Sequence, residues 1–241
     1  MKEQNLIPEK VEVYLQSEVF KNFRCRVACN SLDIDANKKS IHHLVIDGIK
    51  PNKDWNIGLI YGASGSGKTT LAQKLFGPEI FQTEINLEEP VINQLPKEFT
   101  YDECVEFLTS IGLNSVPCWV RPMKTLSNGQ RARAEAILQM TKNQDIVVID
   151  EFTSVVDRTV AKVMAQCLHK FAKKHNKKII LLSCHYDILE WLLPDWLIDC
   201  NEQKFTNRDT DAFFLSQKKS LSSKSKKSVL RAGNTLANIT I

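Results

Sequence analysis

From residue 57 onward the hydrophobic positions fall into two alternating kinds of segment. Residues 57–62 (IGLIYG), 145–150 (DIVVID) and 178–184 (KIILLSC) are short, nearly continuous apolar runs. That is the pattern of strands buried on both faces of a parallel sheet. Between and around them, residues 69–77, 100–111, 127–140 and 158–174 read as helices. Gly77–Pro78 stops the first, Thr100 or Asp102 caps the second, and Gly112 ends it. Residues 11–36 hold short apolar and β-branched runs (VEVYL, CRVAC, LDI) that read as strands, with Tyr14, Phe20 and Phe23 as core residues. Strand–helix alternation predicts an α/β domain over residues 1–205, with helices packed on a parallel sheet. From 206 the periodicity fades into a basic Ser/Lys-rich tail, 206–241, that reads as flexible.

Composition changes this picture little. Hydrophobic residues make up 43% and charged residues 25% of the 241, as in an ordinary globular protein. The most apolar stretch, 179–198, is interrupted by His185, Asp187, Glu190 and Asp195, so it does not span a bilayer. The opening MKEQNLIPEK lacks the apolar centre of a signal peptide, and a cytoplasmic location is expected. Charge is more informative once divided. Residues 212–241 carry six basic and no acidic side chains, so the net +4 leaves −2 for the body. A body so nearly neutral does not suggest a broad surface for tracking phosphates along duplex DNA. The seven cysteines read as buried thiols; Cys25 and Cys29 have no second ligand pair and are assigned no metal.

Candidate chemistry begins at Gly62-Ala63-Ser64-Gly65-Ser66-Gly67-Lys68-Thr69, followed by Thr70. This satisfies GxxxxGK[ST], with a strand before it and a helix after it. Glycines let successive backbone N–H groups and the helix N-terminus wrap phosphate oxygens. Lys68 would neutralise the β/γ-phosphates and the Thr69 hydroxyl would ligate Mg²⁺. The loop alone says P-loop NTPase. Asp150, closing an apolar strand, can hold Mg²⁺ through water, and Glu151 beside it stands where a general base must polarise the attacking water.

Leu126-Ser127-Asn128-Gly129-Gln130 resembles the LSGGQ signature of ATP-binding cassette (ABC) ATPases, with Asn128 in place of the first glycine. The resemblance implies the ABC type of P-loop fold. That fold has a mainly parallel central sheet, an N-terminal antiparallel β portion and here a reduced helical subdomain. It implies that Ser127, Gly129 and Gln130 complete the nucleotide site of a second subunit. It makes His185, after the strand at 178–184, the switch histidine that contacts the γ-phosphate, and Gln94 the candidate glutamine near the metal. ATP and Mg²⁺ are the expected cofactors. One phosphate loop and one signature per chain imply an ATP-dependent homodimer, two chains meeting head-to-tail over two ATP molecules.

Only 57 positions separate Thr69 from Leu126, little for the helical subdomain by which transporter ATPases grip membrane partners. The segments DWNIGLIYGASGSGKTT, GLNSVPCWVRPMKTLSNGQ, DEFTSVVDRTVAK and SCHYDILEWLLPDWLID look like soluble ABC-type ATPases found fused to a predicted GNAT-type acetyltransferase domain, although a Lys/Ser-rich tail stands where that domain should begin. The expectation is therefore a soluble Mg²⁺-dependent ATPase. It would act on a separate intracellular protein partner, or on nucleic acid, with a membrane partner disfavoured. The alternative is the nucleotide-binding subunit of a membrane transporter.

Overall fold

The computed structural model describes residues 7–17, 22–31, 40–81, 84–141, 145–154 and 156–208. Its centre is a five-stranded sheet in the order β4-β5-β3-β6-β7. The strands are β3 (Ile57–Tyr61), β4 (Ile146–Ile149), β5 (Lys178–Ser183), β6 (Trp196–Asp199) and β7 (Lys204–Asn207). The first four in spatial order run parallel, and β7 returns antiparallel to β6. A separate antiparallel pair joins β1 (Val11–Ser17) to β2 (Ser40–Ile46).

The apolar runs are buried on both faces, and alternate side chains divide between two cores. Ile57, Leu59 and Tyr61 of β3 share one core with Ile179 and Leu181 of β5. That layer is closed by α3 (Tyr101–Thr109), α5 (Asn128–Met140), α6 (Arg158–Lys174) and α7 (Ile188–Leu192). Ile60, Ile180, Leu182 and Ile198 face the other way, onto α2 (Lys68–Phe76) and the β1–β2 lobe. Gly58 belongs to this packing: a Cβ there would lie 2.0 Å from the ring of the buried Trp196 on the neighbouring strand. Any side chain would drive β3 and β6 apart.

Thr100, not Asp102, caps α3. Its Oγ1 accepts from the Glu103 amide at 3.3 Å while Glu103 Oε2 accepts from the Thr100 amide at 2.7 Å, a reciprocal box. Two other expectations change. CRVAC is not a strand but the middle of helix α1 (Phe23–Ser31). Asn22 Oδ1 accepts from the Cys25 amide at 2.8 Å, and Cys29 is its one buried residue. A local cap decides this segment, because alternation over five residues cannot separate a strand from an exposed helix turn. Tyr14 and Phe23 are not core residues, being 62% and 81% exposed. Val11 and Val13 fill the inner face of β1, which turns Tyr14 outward to stack on His43 at 4.0 Å. Phe20 and the LDI run lie outside the described residues, as does the tail from 209. β7 carries the sheet past the expected boundary at 205, and the Arg208 amide donates to Asp195 O.

Candidate nucleotide site

The sheet brings its chemistry to one edge because parallel strands all end on the same side. β3, in the middle, runs into the phosphate loop. β4 delivers Asp150 and Glu151, and β5 delivers Cys184 and His185. Ligands of open parallel sheets bind at such an edge.

Gly62 N donates to Ser183 O at 3.3 Å, fastening the loop's start to β5. Gly65 and Gly67 take φ of +76° and +88°, the left-handed backbone that lets a loop turn its amides inward. Lys68 Nζ donates to Gly62 O and Ala63 O, both at 2.9 Å, spanning the mouth of the loop. Thr69 Oγ1 donates to Asp150 Oδ2 at 2.8 Å, and Asp150 Oδ1 accepts from the Glu151 amide at 2.7 Å. Two hard oxygen donors 81 residues apart thus meet on one wall. That pair fits Mg²⁺, which prefers carboxylate and hydroxyl oxygen.

A cavity of about 290 Å³ opens over this constellation. It is lined by Ser64, Gly65, Gly67, Lys68, Thr69 and Thr70 of the phosphate loop and the start of α2, and by Asp150 and Glu151. Its volume lies just under the roughly 300–1,000 Å³ of complete small-molecule pockets. Three further residues line it that are not among the expected site residues. Leu15 reaches it from β1, Ser154 from the segment after Glu151, and Cys184 from the end of β5. Ser154 Oγ donates to Glu151 Oε2 at 3.3 Å. No local pattern foretells Leu15, since only the docking of β1–β2 against the loop brings it there.

His185, Gln94 and the signature residues stand elsewhere. His185 is half-buried, its amide donating to Ser183 Oγ at 3.1 Å, and its predecessor Cys184 lines the cavity instead. Gln94 ends a 3-10 turn, Val91–Gln94, with its amide engaged locally. Its Oε1 accepts from Asn86 N at 2.9 Å, and its Nε2 donates to Asn86 O at 2.9 Å and Glu89 O at 3.2 Å. This fixes the 86–90 loop, which pairs with the strip before the signature through Met123 N to Glu89 O. The signature itself begins α5, outside its own chain's cavity. Ser127 caps the helix: its Oγ accepts from Gln130 N at 3.3 Å while Gln130 Oε1 accepts from Ser127 N at 3.1 Å. Arg121 Nη2 donates to the same Gln130 oxygen at 3.1 Å. Gly129 and Asn128 lie within the helix, so Asn128 needs no left-handed backbone.

Comparison with known proteins bears on the fold. No protein-family model matches the chain. It is 24% identical over 193 residues to the energy-coupling factor transporter ATP-binding protein of Staphylococcus saprophyticus, covering 64% of this chain and 71% of that one. It is 32% identical over 151 residues to the teichoic acids export ATP-binding protein of Staphylococcus haemolyticus, covering 53% and 56%. Among solved structures, a dimeric post-hydrolysis ATP-binding cassette bound to ADP and Pi superposes with a TM-score of 0.51 at 14% identity, over 70% of this chain and 92% of that one. The fold is that of the ABC ATPase cassette.

Proposed function

We propose that this chain, an ABC-type ATPase by fold and by its relatives, binds ATP with Mg²⁺ at the phosphate loop and hydrolyses it between two head-to-tail copies. The observation that carries the reading is the meeting of Thr69, Asp150 and Glu151 beside the phosphate loop in one cavity. The loop amides and Lys68 hold the phosphates, with Lys68 exchanging its two carbonyl partners for phosphate oxygen. Thr69 and Asp150 would hold Mg²⁺, whose charge would offset that of the phosphates. Glu151 accepts the proton of the attacking water, and Ser154 orients its carboxylate. Ser127, Gly129 and Gln130 of a second copy close the site from outside. His185 acts on the γ-phosphate and Gln94 near the metal only after that closure moves them.

Glu151→Gln tests this. It should bind ATP normally while turnover falls roughly 10²- to 10⁴-fold, the range for losing a general base. Turnover at the wild-type rate would remove Glu151 from the role.

The relatives' names, a transporter and an export ATP-binding protein, support a place as the ATP-binding subunit of a membrane transport system. They count against the soluble partner expected from sequence spacing. Co-purification of a membrane protein in detergent is the matching test. One observation favours the soluble reading. Among the described residues between α2 and α5, the only α-helices are α3 and a single turn, α4 (Val116–Trp119). The likeness to acetyltransferase-fused ATPases supports the same side. ATPase stimulation by DNA, RNA or a soluble partner, without any membrane protein, would favour it.

A further inference from the structure

The phosphate loop is held from behind by a turn that the proposed chemistry does not use. Residues 200–203 join β6 to β7. Cys200 N donates to Tyr61 O at 2.7 Å, and the buried Cys200 side chain lies against the loop's first residue: a Cβ on Gly62 would sit 3.0 Å from Cys200 Cβ. Asn201 Oδ1 accepts from the Ala63 amide at 3.2 Å. Asp199 Oδ1 fixes the turn by accepting from Asn201 N at 2.8 Å and Glu202 N at 3.2 Å.

The same turn reaches the β1–β2 lobe. Gln203 Oε1 accepts from Val45 N at 3.0 Å, and its Nε2 donates to His43 O at 3.2 Å, a two-point mating with the backbone of β2. β2 in turn touches the far end of the phosphate loop. His42 Nε2 lies 3.2 Å from Ser66 O, and a Cβ on Gly67 would be 3.2 Å from Leu15 and 3.9 Å from Leu44. Gln203 holds a φ of +53°, where glycine would be the unstrained choice for a hairpin turn. Turn formation does not call for glutamine there; the amide's reach to β2 does.

We infer that Asn201 and Gln203 are positioning residues that clasp the phosphate loop to the β1–β2 lobe, so that loop and lobe keep one geometry for nucleotide. The inference rests on the reading of the cavity as a nucleotide site, because a clasp that pre-sets the loop lowers the ordering cost of phosphate binding.

The test uses the full chain and three variants: Asn201→Ala, Asn201→Asp and Gln203→Gly. Hydrogen exchange of the 57–68 segment is measured without nucleotide, and ATP affinity by calorimetry. Asn201→Ala, which loses one hydrogen bond, should speed exchange of the loop and weaken ATP binding roughly two- to tenfold, and Gln203→Gly, which loses two, should do so at least as much. Gln203→Gly should do so with its melting temperature unchanged or raised, since glycine suits the turn; a merely structural glutamine would not separate the two readouts. Asn201→Asp keeps an acceptor for the Ala63 amide and should restore slow exchange. Loop exchange equal to wild type in both Asn201→Ala and Gln203→Gly overturns the clasp, as does fast exchange in Asn201→Asp. Absence of ATP binding by the wild-type chain would defeat the functional reading, while exchange still judges the clasp.

Discussion

Around Glu151 the backbone is held in conformations its residues disfavour. Glu151 has φ +48° and Thr153, a β-branched residue, φ +71°. Such positions cost on the order of 1–3 kcal/mol each and persist only where surroundings over-determine them. Here Phe152, between the two, is buried and its amide donates to Leu182 O at 2.9 Å, so the anchor forces the turn. The turn leaves the Glu151 carboxylate at the cavity beside Ser154. Two thiols near the phosphate loop differ as sharply. Cys184 is exposed on the cavity wall, whereas burial pushes the Cys200 thiol up to about 12, despite the opposing pull of Lys68. A thiolate is the reactive form. Alkylation at neutral pH should therefore label Cys184 and spare Cys200, with ATP slowing the Cys184 reaction. Peptide mass spectrometry after timed labelling checks this, and equal labelling of the two would refute it.

At the scale of elements, α6 organises the helical layer. Asp157 Oδ1 accepts from the amides of Thr159 and Val160 at 2.9 and 3.0 Å, and Lys173 and Lys174 close the other end, both favourable to the helix dipole. Phe171 meets Phe107 of α3 edge-on at 4.8 Å. Beside that contact Glu106 accepts from Lys174 at 2.7 Å and from His175 at 2.8 Å. The Lys174 and then the His175 hydrogen bonds hold the Glu106 carboxyl below its usual range, against a smaller upward push from burial. A carboxyl whose pKa is lowered on folding adds stability above its unfolded value, and that stability is lost as pH falls through the folded value. Glu106→Gln should therefore unfold more easily than wild type at pH 7, by up to about 1 kcal/mol. The difference should shrink progressively below about pH 4. Urea denaturation at the two pH values reads it, and a gap that stays constant in acid would show that the ion pair is not its source.

At the scale of the molecule, the cavity is one-sided. The phosphate loop, Asp150 and Glu151 line it, while Ser127 stands at the head of α5 outside it. A second copy must supply that face if the signature takes part. Ser127→Arg should bind nucleotide as a monomer yet neither dimerise nor turn over, and Lys68→Ala should lose tight binding. Mixing the two inactive variants then pairs an intact phosphate loop with an intact signature at one of the two sites. Activity should reappear in the mixture, and sedimentation should find an ATP-dependent dimer. A mixture as inactive as its components would contradict the shared site.

The phosphate loop, the Asp150–Glu151 strand end, the buried strands and a cap for α3 at Thr100 or Asp102 are legible in the chain because each depends on neighbours within a few residues. Burial on both faces leaves an unbroken apolar run, a tight anion cradle needs glycines in fixed order, and a capping box spans four positions. CRVAC fails by the same logic, since five alternating residues are too few to set a period. What tertiary structure alone decided is long-range. The strand order puts β3 between β5 and β6, and the docking of β1–β2 brings Leu15 and His42 to the loop. The β6–β7 turn places Asn201 against Ala63, 138 residues away. Local sequence carries no mark of such pairs, because each side chain would suit many surfaces. Only the packing of the whole sheet selects the one it meets.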